Sequence, residues 1–146
     1  MIATVCDSNV YISAIVFGGN PRDVVMLGEH TQIQLLVSPE LVSEVERVLV
    51  RKFEWEQRRV RRICQPLWEA ARLVKPISDV SVCRDPKDNH LLALAVDGEA
   101  RYLITGDSDL LVLSPFRAIQ IVTPARFLDN KPWATLPSLP SPPKSA

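Results

Sequence analysis

Acidic residues recur in this chain where apolar runs begin or end. Asp7 closes the β-rich stretch from Ile2 to Cys6, Asp88 opens an apolar stretch from Asn89 to Val96, and Asp107 follows Tyr102-Leu103-Ile104-Thr105-Gly106. Glu44 lies beside the helical stripe formed by Leu41, Val42, Val45, Val48 and Leu49. In a parallel α/β sheet the carboxyl ends of the strands gather on one edge, where ligands bind. Carboxylates crowded there repel unless some protonate or a divalent cation neutralises them. An oxygen donor set without His or Cys points to Mg²⁺ or Mn²⁺. Such a cation holds a phosphate oxygen, lowers the pKa of its water and stabilises charge in phosphoryl transfer. These residue types therefore suit metal-assisted hydrolysis of a phosphodiester.

Each acid taken singly has a plainer reading. Asp88 reads as a helix N-cap, Asp107 as a turn residue and Glu44 as a solvated helix position. A helical wheel sets Glu44 at one margin of its apolar stripe and Glu46 at the other, and periodicity does not choose between them.

The elements that must position these acids alternate, strand then helix, which predicts an α/β domain with a mostly parallel central sheet flanked by helices. Strands are expected over Ile2 to Cys6, Ile33 to Val37, Tyr102 to Thr105 and Ala118 to Val122. The first is followed by a helix from Val10 to Val16. Phe17-Gly18-Gly19-Asn20-Pro21 breaks the chain, and Pro21 suits the first turn of a helix reaching Gly28. Ser38-Pro39 resembles an N-cap with Pro at the first helical position. A further helix from about Trp55 to Leu73 is implied by Val60, Ile63, Cys64, Leu67, Trp68 and Ala71, with Pro66 expected to kink or split it. The helix from Asn89 to Val96 is apolar nearly all round and should lie deep in the domain. A helical turn over Asp109 to Leu113 and a short helix over Pro124 to Leu128 complete the alternation. Residues 131–146 are rich in Pro and Ser and read as an extended tail beyond a domain of residues 1–130.

Composition bounds the rest. At 146 residues the chain fits one domain, and its 47% apolar and 23% charged residues are ordinary for a globular fold. Seventeen basic and seventeen acidic residues cancel, so nucleic acid would have to be held by a local patch. No stretch approaches the ~20 apolar residues of a membrane span. The first residues, Met1 to Asp7, lack the pattern of a signal peptide. Cys6, Cys64 and Cys83 are odd in number and scattered, which fits reduced thiols and a cytoplasmic location. No Cys/His spacing resembles a zinc site.

Four pieces, taken in order, resemble the successive motifs of PIN domains over roughly residues 1–130. They are Val5-Cys6-Asp7-Ser8-Asn9-Val10, Ser38-Pro39-Glu40-Leu41-Val42-Ser43-Glu44-Val45, Asp85-Pro86-Lys87-Asp88-Asn89-His90-Leu91-Leu92-Ala93-Leu94-Ala95 and Tyr102-Leu103-Ile104-Thr105-Gly106-Asp107-Ser108-Asp109-Leu110-Leu111. The likeness is greatest to the branch described as toxin components of toxin–antitoxin systems. It implies a three-layer fold and a Mg²⁺- or Mn²⁺-dependent ribonuclease. It implies that Asp7, Glu44, Asp88 and Asp107 line the metal site, with Asp109 and Asp85 beside it. Asn9 and Thr105 match polar positions that support the acids by hydrogen bonds. The implied partners are single-stranded RNA, an antitoxin protein and a second copy of the chain.

Arg58, Arg59, Arg61 and Arg62 form, with Arg51 and Lys52 nearby, the dense basic run. They read as a solvated helix face, an RNA-backbone track or a dock for an acidic antitoxin segment. Trp55, Trp68 and Trp133 read as packing residues rather than base-stacking platforms. Two functions from different classes fit these features: an endoribonuclease, or a catalytically silent PIN-like module that binds RNA or protein. A small phosphatase with Asp7 as nucleophile fits poorly, because Asn9 stands where a second acid is needed.

Overall fold

The computed structural model describes residues 1–134. Its elements are β1 (Ile2–Cys6), α1 (Ser8–Val16), α2 (Gly19–Glu29), β2 (Ile33–Val37), α3 (Pro39–Arg51), α4 (Gln57–Ala70) and β3 (Arg72–Leu73). There follow α5 (Pro86–Asp97), β4 (Tyr102–Ile104), α6 (Ser108–Leu111), β5 (Gln120–Val122), α7 (Pro124–Asn130) and a 3₁₀ turn, Pro132–Ala134. The five strands lie in the order β3-β2-β1-β4-β5, and every neighbouring pair is parallel. Central β1 pairs Val5 with Leu36 on one side and with Leu103 on the other. Its residues are almost all buried, as expected of a strand covered on both faces.

Successive residues of a strand face opposite sides of the sheet. On β2 this places Leu35 toward α2 and Leu36 toward α5. A Cβ on Gly28 of α2 would overlap the Leu35 side chain, and one on Gly98, which caps α5, would overlap Leu36. The two glycines thus let helices from opposite layers approach the same strand. Helix α1 packs against α2 and α3, α4 against α2 and α3, and α7 against α2, while α5 lies against β1, β2 and β4. This is the three-layer α/β arrangement. Leu91 to Ala95 of α5 are all buried, which explains why that helix is apolar all round.

Two expectations need correction. The predicted helix over Trp55 to Leu73 is shorter, α4, and runs unbroken through Pro66. Pro66 and Arg62, whose carbonyl loses its helical donor, are both exposed, so the lost bond falls on the solvent side of the helix. The chain beyond α4 instead forms β3, pairing Leu36 with Arg72 and Val37 with Leu73 at the sheet edge. The tail is not extended from its start: Pro132–Ala134 make a 3₁₀ turn, and Trp133 packs 5.2 Å from Phe127, which also meets Tyr102 edge-on. Burying aromatic area there outweighs the extended preference of a Pro-rich segment. The remainder of the expected tail, 135–146, lies outside the described residues.

The other tryptophans also pack. Trp68 meets Tyr11 edge-on at 5.2 Å, and Trp55 lies under the Arg59 guanidinium at 4.2 Å. Among the described residues no helix is long and apolar enough to cross a membrane.

Candidate active site

From β1 the chain builds outward through β2 to β3, then returns to the other side of β1 for β4 and β5. The strand order therefore reverses between β1 and β4, the position where open α/β sheets leave a crevice at their carboxyl edge. Asp7 and Asp107 stand just past the carboxyl ends of these two adjacent strands. The Asp7 N–H donates to the Ile104 carbonyl at 2.9 Å, extending the pairing to the acid itself.

Asp7 is only 6% exposed and caps α1. Its Oδ1 accepts from the Asn9 N–H at 3.2 Å and the Ser8 hydroxyl at 3.3 Å. Its Oδ2 accepts from the Thr105 hydroxyl at 2.8 Å. The same Thr105 oxygen accepts from the Asp107 N–H at 3.0 Å, and Asp107 Oδ1 accepts from the Asp109 N–H at 2.9 Å. One network therefore orients the acids of both strand ends. Asn9 takes part through its backbone N–H.

Asp88 lies in the first turn of α5. The cap of that helix is Asp85, whose carboxylate accepts from the Lys87 N–H at 2.9 Å, with Pro86 opening the helix. Asp88 is therefore not an N-cap, and the plainer reading of it is overturned. Its carboxyl is buried, and burial pushes its pKa from 3.8 up to about 6. The neighbouring Asp107, through charge and a hydrogen bond, and the charges of Asp85 and Asp7 add to the rise. The loop before α5 is closed by Asn89, which accepts from the Cys83 N–H at 2.8 Å and donates to its carbonyl at 3.0 Å. Burial raises the Cys83 thiol pKa, and the fields of Asp88, Asp107, Asp109 and Asp85 raise it further. Asp109 is exposed, with Arg84 3.9 Å away.

Glu44 lines the adjoining groove between α3 and α5, where Lys87 Nζ sits 2.9 Å from its Oε1. That contact raises the Lys87 pKa and keeps the ammonium charged. Glu46 turns the other way and accepts from the Trp68 indole N–H at 3.0 Å. Ser38 caps α3, accepting from the Leu41 N–H, and its hydroxyl lies 2.7 Å from His90 Nε2 on α5. Sequence reasoning missed Lys87, Ser38 and His90 as ties between the two helices, because partners 43 to 52 residues apart leave no local signal. The arginine run divides: Arg59 stacks on Trp55 and Arg61 faces a groove between α3 and α4.

The structure thus brings together Asp7, Asp88 and Asp107, with Asp85 and Asp109 nearby, and sets Glu44 in the adjoining groove. Among the described residues no three His, Cys, Asp or Glu side chains are drawn close enough to form a ready metal site. The donor chemistry still fits a hard divalent cation, since the clustered groups are carboxylates with oxygen donors only.

A parallel sheet that reverses its strand order between β1 and β4, with carboxylates just past both strand ends, defines a three-layer α/β domain with a candidate site at its carboxyl edge. Residues 3–109 match the PIN domain profile, so the chain belongs to the PIN-domain family. The matched span includes Asp7, Glu44, Asp88 and Asp107. The chain is also 30% identical over 117 residues to an uncharacterized protein of Methanocaldococcus jannaschii, an alignment covering 77% of this chain and 75% of that protein. PIN-domain proteins are generally nucleases, and those nucleases generally use divalent metals.

Proposed function

We propose that this protein is a Mg²⁺- or Mn²⁺-dependent endoribonuclease that hydrolyses phosphodiester bonds of single-stranded RNA in the cytoplasm. The observation that carries the reading is the hydrogen-bond network that joins buried Asp7 and Thr105 to half-buried Asp107, with Asp88 beside it in the first turn of α5. Asp7, Glu44, Asp88 and Asp107 would hold the cation, with Asp109 as a further ligand. A bound cation supplies charge stabilisation for the phosphate oxygens and a lowered pKa for water. Thr105 and the Ser8 and Asn9 donors hold the Asp7 carboxylate in a fixed direction, so little reorganisation accompanies reaction. One carboxylate of the cluster would accept the proton of the attacking water. Asp85 supports Asp88 by fixing the first turn of α5.

The role as a toxin, with an antitoxin partner and a homodimeric state, is supported by the motif resemblance. A second reading, a silent module that binds RNA or protein, is favoured by one observation, the engagement of Glu44 by Lys87. A cleavage assay on mixed single-stranded and structured RNAs, with and without Mn²⁺, decides between them. The expected result is metal-dependent cleavage of single strands, lost in Asp7→Asn. RNA binding without cleavage at any Mn²⁺ concentration would establish the silent module instead.

A further inference from the structure

We propose that Arg47, Arg51 and Arg61 form a track for the phosphate backbone of single-stranded RNA, running along the seam of α3 and α4 to the acidic crevice. The nature of the ligand rests on the ribonuclease reading; the track itself rests on the following geometry.

Glu40, Glu44, Arg47 and Arg51 fall three or four residues apart on α3 and so share one face. Charge changes sign along that face. The acids lie toward the carboxyl edge of the sheet, where α3 starts, and the arginines lie one and two turns below. Arg47 and Arg51 are about 6 Å apart along the axis at 1.5 Å per residue. Arg61 faces them from α4 across a groove of about 310 Å³. Ser43 and Gln57 add polar groups to its walls.

The three arginines are exposed. The ion pairs among the described residues are Arg84–Asp109, Lys87–Glu44 and His90–Glu40, and none involves this groove's arginines. Glu46 also lines the groove and brings its negative charge there, held by the Trp68 indole N–H and set against three arginines. The groove also runs on toward the crevice. Arg47 lines both it and the neighbouring α3–α5 groove that holds Glu44 and Lys87. Its charge reaches Lys87, opposing that ammonium's protonation. A line of exposed cations therefore runs from the far end of α3 up to the groove that holds Glu44 and Lys87.

A polyanion suits this shape better than an acidic peptide. No aromatic ring lines the groove to anchor side chains, and a regular row of cations matches a regular row of phosphates. Of the dense basic run Arg51 and Arg61 line the groove and Arg58, Arg59 and Arg62 do not, while Arg47 lies outside that run.

The test is fluorescence anisotropy of full-length protein with labelled single-stranded oligoribonucleotides in EDTA, so that cleavage is not required. Arg47→Gln/Arg51→Gln should lower affinity roughly tenfold or more across sequences, and flatten the salt dependence by about 1.4 in slope, ~0.7 per lost contact. Arg58→Gln/Arg62→Gln should stay within about twofold of wild type. Arg47→Lys/Arg51→Lys should keep the slope, which guards against a loss caused by misfolding. Equal loss in the Arg58/Arg62 variant, an unchanged Arg47/Arg51 variant, or no RNA binding by the wild type would each overturn the track. So would tighter binding to polyglutamate than to RNA, which would assign the groove to an acidic protein. RNA binding through these residues without cleavage in Mn²⁺ would sink the nuclease reading and leave the track standing.

Discussion

The Thr105 hydroxyl donates a 2.8 Å hydrogen bond to Asp7 Oδ2, joining the ends of β4 and β1 across 98 residues of sequence. Because it also accepts from the Asp107 N–H, this oxygen has a partner on each side of the crevice. Thr105→Val keeps the shape and removes both bonds, leaving a buried carboxylate oxygen short of a donor. The expected cost is about 1–3 kcal/mol in urea denaturation, with Thr105→Ser recovering most of it. A Val variant as stable as wild type would show that the hydroxyl does not hold the two strand ends together.

Asp88 gives the pH dependence its sign. Its pKa is raised from 3.8 to about 6, so the native state binds this proton more tightly than the unfolded state. The stabilisation is complete below the unfolded value and is lost as pH rises through the folded value. Asp88→Asn keeps the size and removes the charge. Without metal it should melt at or above the wild-type temperature near neutral pH, by up to a few degrees. Mn²⁺ should raise the wild-type melting temperature by mass action and raise the variant's less. A metal-free variant clearly less stable than wild type would make Asp88 a structural residue first.

Asp97, at the end of α5, predicts the opposite slope. Its carboxylate accepts from the Ser78 hydroxyl and from the Ser78 and Ile77 N–H groups, the latter at 2.9 and 2.6 Å. These bonds, the hydroxyl first, hold its pKa below the ordinary 3.8. Stability from this clasp is present above the unfolded pKa and lost as pH falls through the lower folded value. Asp97→Ala should therefore melt earlier than wild type at neutral pH, and the gap should close under strong acid. A gap that persists or widens in acid would mean the clasp does not act through the carboxylate.

How much was readable in advance follows from what each element depends on. The strand Ile2 to Cys6 and the helix of Leu91 to Ala95 declare themselves through composition, since both are buried all round. Asp7 and Asp107 could be placed because they end strands, and parallel strands share a carboxyl edge. β3 could not, because Arg72 and Leu73 are exposed and become a strand only by pairing with the free edge of β2. At the 3₁₀ turn after Lys131, Trp133 packs on the Phe127 ring of α7, a contact that the Pro-rich composition does not announce. Lys87 at Glu44 and His90 at Ser38 are products of α3 and α5 meeting, which no periodicity within either helix encodes.

The same limit left Glu44 and Glu46 equivalent on a helical wheel, and their partners now separate them. Glu46 accepts from the half-buried Trp68 indole, so Glu46→Ala leaves that N–H without an acceptor. The expected loss is about 1–2 kcal/mol. Glu44 pairs with Lys87, whose side chain is 64% exposed, and such a pair contributes at most ~1 kcal/mol. Glu44→Ala should therefore leave the metal-free protein nearly as stable as wild type. In calorimetric titration with Mn²⁺ the order should reverse, with Glu44→Ala binding markedly weaker and Glu46→Ala binding as wild type does. Weaker Mn²⁺ binding by Glu46→Ala alone would move the fourth acid of the site from one margin of the α3 stripe to the other, and with it the face of α3 that meets the metal.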